Sequence, residues 1–345
     1  MSSYAKRSLP LPLLVDSRAV QGAYITSFVL LHLLALLVFV PWLFSWSGVI
    51  AFFAGIMIFG QVGIPVCYHR QLTHRSFRTA KWLEHSFVVM ALCSAQDTPA
   101  KWVAWHRKHH SHADEREDPH SPLVSFFWSH IGWLCVQNRS LTTLTFYEKY
   151  SRDILVDPFY MYLERNKLAI AWIYLGHAAT YFLVAWGAAF AVLGDNAAAV
   201  QWALSVLVWG VFARTVYVWH ITWSVNSFSH LFGYRNFETP DTSRNNWLVA
   251  LITGGEGWHN NHHADQAAAT VRCRWWEFDM NYAIIRALAW TGLATHVIPG
   301  RGSRESQREA HIDDEAPPSA IPAPHFTDGF EVAPQHRESV DSAAN

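Results

Sequence analysis

The sequence predicts an all-α integral membrane protein: four transmembrane helices in two hairpins, with a histidine-rich helical cap on the cytosolic side. Three observations carry that expectation. Charged residues make up 15% of the chain and hydrophobic ones 51%, whereas a soluble domain carries roughly 25% charge. Ala19 to His69 and Leu168 to Gly194 contain no Asp, Glu, Lys or Arg, and after Asp195 a third such run covers Asn196 to Ala213. Finally, a patterned set of histidines sits at the ends of these runs or between them.

Residues 1–18 are read as a short cytosolic segment. Ala19 to His69 is long enough for two crossings of about 20 residues each, and Pro41 with Trp42 to Ser47 supplies the break between them. The first hairpin therefore has spans at about 24–44 and 48–68, and the second at about 168–193 and 197–220. Lys6, Arg7 and Arg18 precede the first pair and Arg70, Arg75, Arg78 and Lys81 follow it. Arg165 and Lys167 precede the second pair, with Arg214 and Arg235 at or beyond its end. The positive-inside rule then places both termini in the cytosol. The apolar run is too long for a cleaved signal peptide, and no small-residue cleavage site stands out.

Residues 70–167 mix His, Trp, charge and short apolar runs, as expected of cytosolic or interfacial helices. Residues 275–297 set Trp276, Ile284, Leu288 and Trp290 among polar neighbours, which suits an amphipathic helix on the membrane surface. The tail, 301–345, is rich in Pro, Ser and charge and poor in large apolar residues, a composition of disorder. A net charge of -1 leaves no basic field to recruit nucleic acid. The four cysteines form no CxxC pair and read as small buried residues in a reducing compartment.

Nine of the 20 histidines fall into a pattern. His69 and His74 form an HxxxxH where the second span ends. His106, His109 and His110 form an HxxHH, and His259, His262 and His263 a second one, with Asn226 and His230 just past the fourth span. Positions i, i+3 and i+4 share a helical face, so each HxxHH can aim its imidazoles at one locus. Three ligands from one turn invite two metals rather than one. His69 and His74 diverge by roughly 140° on a regular helix, so they meet at one metal only if the helix ends or bends between them. Neutral imidazole suits iron, zinc, copper or nickel alike. No Cys, Asp or Glu lies inside these spacing motifs, and HExxH is absent, which argues against thiolate zinc sites, soluble carboxylate di-iron bundles and common metalloproteases. His32 and His177, alone on apolar faces, read as packed core residues.

The ordered motifs resemble the membrane fatty-acid desaturase superfamily, and most of all its stearoyl-CoA and bacterial delta-9 acyl desaturase branch. The shared landmarks include Tyr68-His69-Arg70, His74-Arg75-Ser76-Phe77, Glu117-Asp118-Pro119-His120, Phe126 to Trp133, Asn226-Ser227 with His230, and Gly254 to His259. The resemblance implies an oxidoreductase that uses dioxygen and two external electrons to place a cis double bond in a saturated acyl chain. It implies two iron ions, one held by His69, His74, His106, His110 and His263. The other would be held by His109, His230, His259 and His262, with Asn226 reaching it through a water. Ligands so far apart in sequence must converge, so residues 19–300 are expected to form one domain.

The resemblance also places Gln96, Trp102 and Thr222 at the bend of an apolar substrate tunnel, with Phe53 and Met57 at its end. Where acyl-CoA enzymes of the family carry an Arg-Asp pair before the central HxxHH, this chain has Ala104-Trp105. The acyl carrier is therefore open among acyl-CoA, acyl carrier protein and glycerolipid. No haem-binding domain is evident, so a separate electron donor such as a ferredoxin or cytochrome b5 is expected. The bilayer would be the bacterial cytoplasmic membrane, or the endoplasmic reticulum in a eukaryote. A related di-iron fatty-acyl or alkyl hydroxylase is the nearest alternative. A metal transporter fits less well, because transport ligands should line a path inside the spans.

Overall fold

The computed structural model describes residues 8–166 and 168–301. The expected disordered tail beyond Arg301 and the start of the N-terminal segment lie outside the described residues. Four helices are long and apolar enough to cross a membrane: Gly22–Phe39, Trp46–Thr73, Ala169–Leu193 and Asn196–Phe228. Their ends follow local chemistry. Ser45 Oγ accepts from Gly48 N and caps the second helix. Asp195 accepts from Ala197 and Ala198 N and caps the fourth. Gly194, at φ +65, ends the third in the left-handed conformation that glycine tolerates best.

The second and fourth helices run further than the sequence predicts, to Thr73 and Phe228. At 28 and 33 residues both exceed the about 20 residues that a crossing of the bilayer hydrocarbon needs. That surplus carries His69 and Asn226 on helix rather than on loop. Small residues let the helices close in. A Cβ on Gly210 would stand 2.6 Å from the Tyr181 ring, and one on Gly63 would stand 2.7 Å from Ala91 Cα, the close-approach pattern of membrane helix packing.

Two basic residues used above as topology markers are buried. Arg70 sits at the end of the second helix, bonded to Glu256 and Asp279. Arg214 lies inside the fourth helix, not past its end. It donates to Cys93 O at 2.9 Å and reaches His177 Nε2 at 2.7 Å. Internal acceptors make its burial tolerable. His32 Nδ1 donates to Phe28 O, so both lone histidines are hydrogen-bonded inside the fold.

Between and after the spans lie the shorter helices Lys81–Leu92, Pro99–His112, Leu144–Leu155, Pro158–Arg165, Trp247–Thr253, His259–Ala264 and Met280–Trp290. The last is shorter than the 275–297 expected of an amphipathic surface helix and leaves Trp276 outside it; it buries Asn281 and Ile285 and exposes Trp290. The all-α expectation needs one correction. Val15–Val20 pairs antiparallel with Val136–Asn138, and Arg78–Thr79 with Ala294–Thr295. In the first ladder β-branched residues favour the extended form, and the chain entering the first span meets its backbone hydrogen bonds there.

Candidate metal centre

The site grows from four pieces of chain. Thr98 Oγ1 caps the helix Pro99–His112 and Pro99 opens it, so His106, His109 and His110 stand on regular helical turns. His259, His262 and His263 stand on the short helix His259–Ala264. His230 follows the fourth span. At the end of the second span the amide of His74 donates to the carbonyl of His69 at 3.1 Å. This i to i+5 bond closes the π-helical stretch Ile56–Thr73. It brings the two rings to 4.8 Å between centroids, the bend that the HxxxxH spacing requires.

The nine imidazoles gather in two groups. His69, His74, His106, His110 and His262 form one, and His109, His230, His259 and His263 the other, with the ligand atoms of each group within 4.8 Å of one another. The second group is buried throughout; in the first, His69 and His262 are buried and His74, His106 and His110 half-buried. The grouping corrects the assignment that the resemblance implied, because His262 and His263 exchange places. Helix geometry gives the reason. Residues i and i+4 lie about 40° apart, whereas i+3 lies about 100° from i+4. His106 and His110 therefore point together and His109 points away, and likewise His259 and His263 point together and His262 points away. Each HxxHH gives its outer pair to one group and its middle histidine to the other.

The nitrogens themselves test for a metal. His262 Nε2 stands 3.0 Å from both His69 Nε2 and His110 Nε2, His110 Nε2 stands 3.0 Å from His106 Nε2, and His263 Nε2 stands 3.1 Å from His259 Nε2. The Nε2 atoms of His74, His109 and His230 are buried with no hydrogen-bond partner among the described residues. Such converging lone pairs repel unless a cation sits among them. A metal about 2.1 Å from each nitrogen would give octahedral edges of about 3.0 Å, so the residues fit a metal in each group.

Carboxylates fix the rings from behind. His69 Nδ1 donates to Glu256 Oε2 at 2.6 Å, His109 Nδ1 to Asp118 at 3.0 Å, His230 Nδ1 to Asp114 at 3.0 Å and His263 Nδ1 to Asp241 at 2.7 Å. Each bond holds the tautomer whose Nε2 lone pair faces the centre. Burial, and then the neighbouring imidazoles, pushes His74, His106, His110, His259 and His262 well below the usual histidine range. Burial takes His263 down to about 4 against the pull of Asp241. Neutral imidazole is the ligating form, so these shifts favour metal binding. Burial opposes ionisation of Asp114, Asp118, Asp241 and Glu256, yet all four are held below the usual carboxylate range. The nearest cause for the three aspartates is the histidine partner, and for Glu256 it is Arg70, followed by His69.

An apolar cavity opens onto the groups. Its lining includes His69, His106 and His259, together with Gln96, Trp102, Thr222 and Asn226. Gln96 Nε2 donates to Thr222 Oγ1 at 2.9 Å, and Trp102 Nε1 to Gln96 Oε1 at 3.4 Å, so the three residues expected at the bend meet as a hydrogen-bonded cluster. The turn that holds Gln96 is strained, with φ of +51 at Ala95 and +72 at Asp97. Phe53 and Met57 lie elsewhere. They face outward, and the lining in that direction stops at Gly60, Gln61 and Val218. Phe53 sits about two turns and Met57 about one turn too early on the second helix, and on its outer side.

Sequence reasoning missed the four carboxylates as functional groups. Asp118 and Glu256 lay inside quoted landmarks, whereas Asp114 and Asp241 carried no spacing signal. It also missed His120, which is buried, lines the cavity, and has its ring 4.5 Å from that of His109.

The chain matches the fatty acid desaturase family profile over residues 41–298. It is 40% identical over 270 residues to an sn-1 stearoyl-lipid 9-desaturase of Synechocystis sp., a match that covers 78% of each chain. It is 39% identical over 270 residues to an sn-2 palmitoyl-lipid 9-desaturase of Nostoc sp., covering 77% of this chain and 86% of that one. To an acyl-CoA 5-desaturase of Anemone leveillei it is 38% identical over 270 residues, covering 77% and 76%.

Proposed function

Since the chain belongs to the fatty acid desaturase family and is an oxidoreductase of acyl chains, we propose that it places a cis double bond at the delta-9 position of a saturated chain. It does so at two irons. His69, His74, His106, His110 and His262 hold one, and His109, His230, His259 and His263 hold the other, with Asn226 facing the second. One observation carries this reading: two groups of buried imidazole nitrogens converge beside an apolar cavity.

The overall change converts two adjacent methylenes, one dioxygen, two electrons and two protons into a double bond and two waters. Bound iron supplies the one-electron chemistry that activates dioxygen. The protein's own residues do the rest. The cavity walls extend the acyl chain past the centre and exclude water. Gln96, Trp102 and Thr222 bend it, so that one pair of methylenes lies against the histidines. Glu256, Asp118, Asp114 and Asp241 keep the ligand nitrogens aimed. The electrons come from a separate small donor protein, a ferredoxin or cytochrome b5. The histidine cap and both termini face the cytosol, a placement supported by Arg75, Arg78, Lys81 and Arg165.

Lipid analysis after expression in a host without its own delta-9 desaturase tests the proposal. New monounsaturated chains should appear and should vanish with His110→Ala. A product heavier by one oxygen, in place of one lighter by two hydrogens, would instead make the protein a hydroxylase.

A further inference from the structure

Behind the second histidine group, aromatic rings are packed in a row that leads outward. The His120 ring stands 4.5 Å from that of His109, the Trp133 ring 5.0 Å from His120, and the Trp105 ring 4.9 Å from Trp133, centroid to centroid. Each ring is in contact with the next. At the inner end His109 belongs to the second group. At the outer end Trp105 and Trp133 line a polar cavity whose rim carries the exposed Gln137, Arg139 and Thr142. From the first group the rings lead inward instead: Trp102 stacks on His106 at 5.1 Å, and Tyr68, fully buried, lies 5.8 Å beyond.

Packing alone would be served by any apolar side chains, whereas indole is one of the few that readily give up a single electron. The indole nitrogens of Trp105 and Trp133 are buried with no hydrogen-bond acceptor among the described residues. An indole that loses an electron there has no protein base beside it to take its N–H proton, so one returning electron restores it. The Lys101 ammonium lies 5.1 Å over the Trp105 ring and opposes positive charge on it, but Asp97 at 3.2 Å offsets that ammonium. His120, Trp133 and Trp105 also line the acyl cavity, so they border the space that a bound chain fills.

We propose that Trp133 and Trp105 form an electron relay that returns the centre to rest when dioxygen is activated with no acyl chain in place. The inference rests on the desaturase reading above. Dioxygen becomes two waters only with four electrons and four protons. The donor supplies two electrons, and an acyl chain supplies two more with its two hydrogens. With no chain bound, the last two electrons come through the row. Trp133 passes one inward by way of His120 and His109, Trp105 refills Trp133, and a one-electron reductant in solution, such as reduced donor protein or a thiol, refills Trp105. A second passage completes the set, and all four protons come from solvent. The relay thereby spares the imidazoles, which are otherwise the nearest groups to be oxidised.

The test mixes dioxygen with reduced, iron-loaded protein that carries no acyl chain, freeze-quenches it, and records electron paramagnetic resonance. Ring-deuterated tryptophan assigns the radical, because its signal narrows only if an indole carries it. The parent should show a tryptophan radical. Trp133→Phe keeps an aromatic ring and deletes the readily oxidised one; at equal iron content it should lose the signal, with oxidised histidine found among the nine by mass spectrometry. Trp128→Phe, which removes a buried indole outside the row, should keep the signal. In Trp105→Phe the radical should form but decay more slowly than in the parent when ascorbate is added. A parent with no tryptophan radical overturns the proposal. So does a signal that survives Trp133→Phe, one that Trp128→Phe abolishes as well, or a decay that Trp105→Phe does not slow. If the parent makes monounsaturated chains in the host yet shows no radical, this proposal alone fails; if it neither makes them nor consumes dioxygen, the desaturase reading fails with it.

Discussion

At the scale of single residues, the centre depends on which nitrogen of each histidine carries its proton. Asp241 makes this testable. Its Oδ1 accepts from Ser243 N and Thr239 Oγ1 while Oδ2 faces His263 Nδ1. In Asp241→Asn those two donors keep Oδ1 in place and turn the amide nitrogen toward His263. The ring must then take the other tautomer, with its proton on Nε2. Metal affinity of the second group should fall about 10–100-fold while the first group keeps its ion. Metal analysis after dialysis against a graded chelator should show one ion per chain lost early and one retained.

The far end of the cavity gives a second prediction at this scale. Phe53→Ala and Met57→Ala should leave the chain-length profile unchanged, because neither side chain lines the space. Val218→Ala, at a residue that does line it, should shift the products toward longer chains by gas chromatography. All nine histidines stood out in the sequence, six of them in two copies of the HxxHH spacing and the other three near the ends of apolar runs. The sorting of His262 from His263 was not, because it depends on helix phase and on where the partner helix sits.

At the scale of elements, the second span does two jobs, and both were only partly legible. Its apolar run announces a crossing, but the run says nothing of the i to i+5 bond that folds His74 back onto His69. Nor does a break in charge reveal a helix end: Arg70 and Arg214 are buried inside helices because acceptors await them. The strand Val15–Val20 was likewise hidden, since its partner lies more than a hundred residues away.

Packing of the second span against the helix Lys81–Leu92 sets the height at which the HxxxxH pair stands. A Cβ at Gly63 would stand 2.8 Å from Ala91 N and 2.7 Å from its Cα, and backbone cannot yield as a side chain can. Gly63→Leu should therefore cost about 1–3 kcal/mol, seen as a fall of several degrees in the thermal midpoint of the purified protein. A midpoint equal to that of the parent would show that this helix contact does not hold the pair in place.

At the scale of the whole molecule, histidines from residue 69 to residue 263 meet in one place, so the proposed metal binding would be coupled to folding. Stripping the metal with a chelator should lower the thermal midpoint and restore it on addition of ferrous iron, because the apo state leaves clustered buried nitrogens facing one another. Sidedness belongs to this scale too. Cys273 is exposed, whereas Cys67 and Cys93 are buried. With the cap in the cytosol, a membrane-impermeant maleimide should leave Cys273 unlabelled in intact cells and label it in inverted vesicles.

The central claim is that two metals sit side by side, one in each histidine group. Anomalous diffraction at the iron edge from crystals of the iron-loaded protein tests it most directly. The account predicts two peaks, one within the cage of His69, His74, His106, His110 and His262 and one within that of His109, His230, His259 and His263. A single peak, or peaks away from these nitrogens, would contradict it.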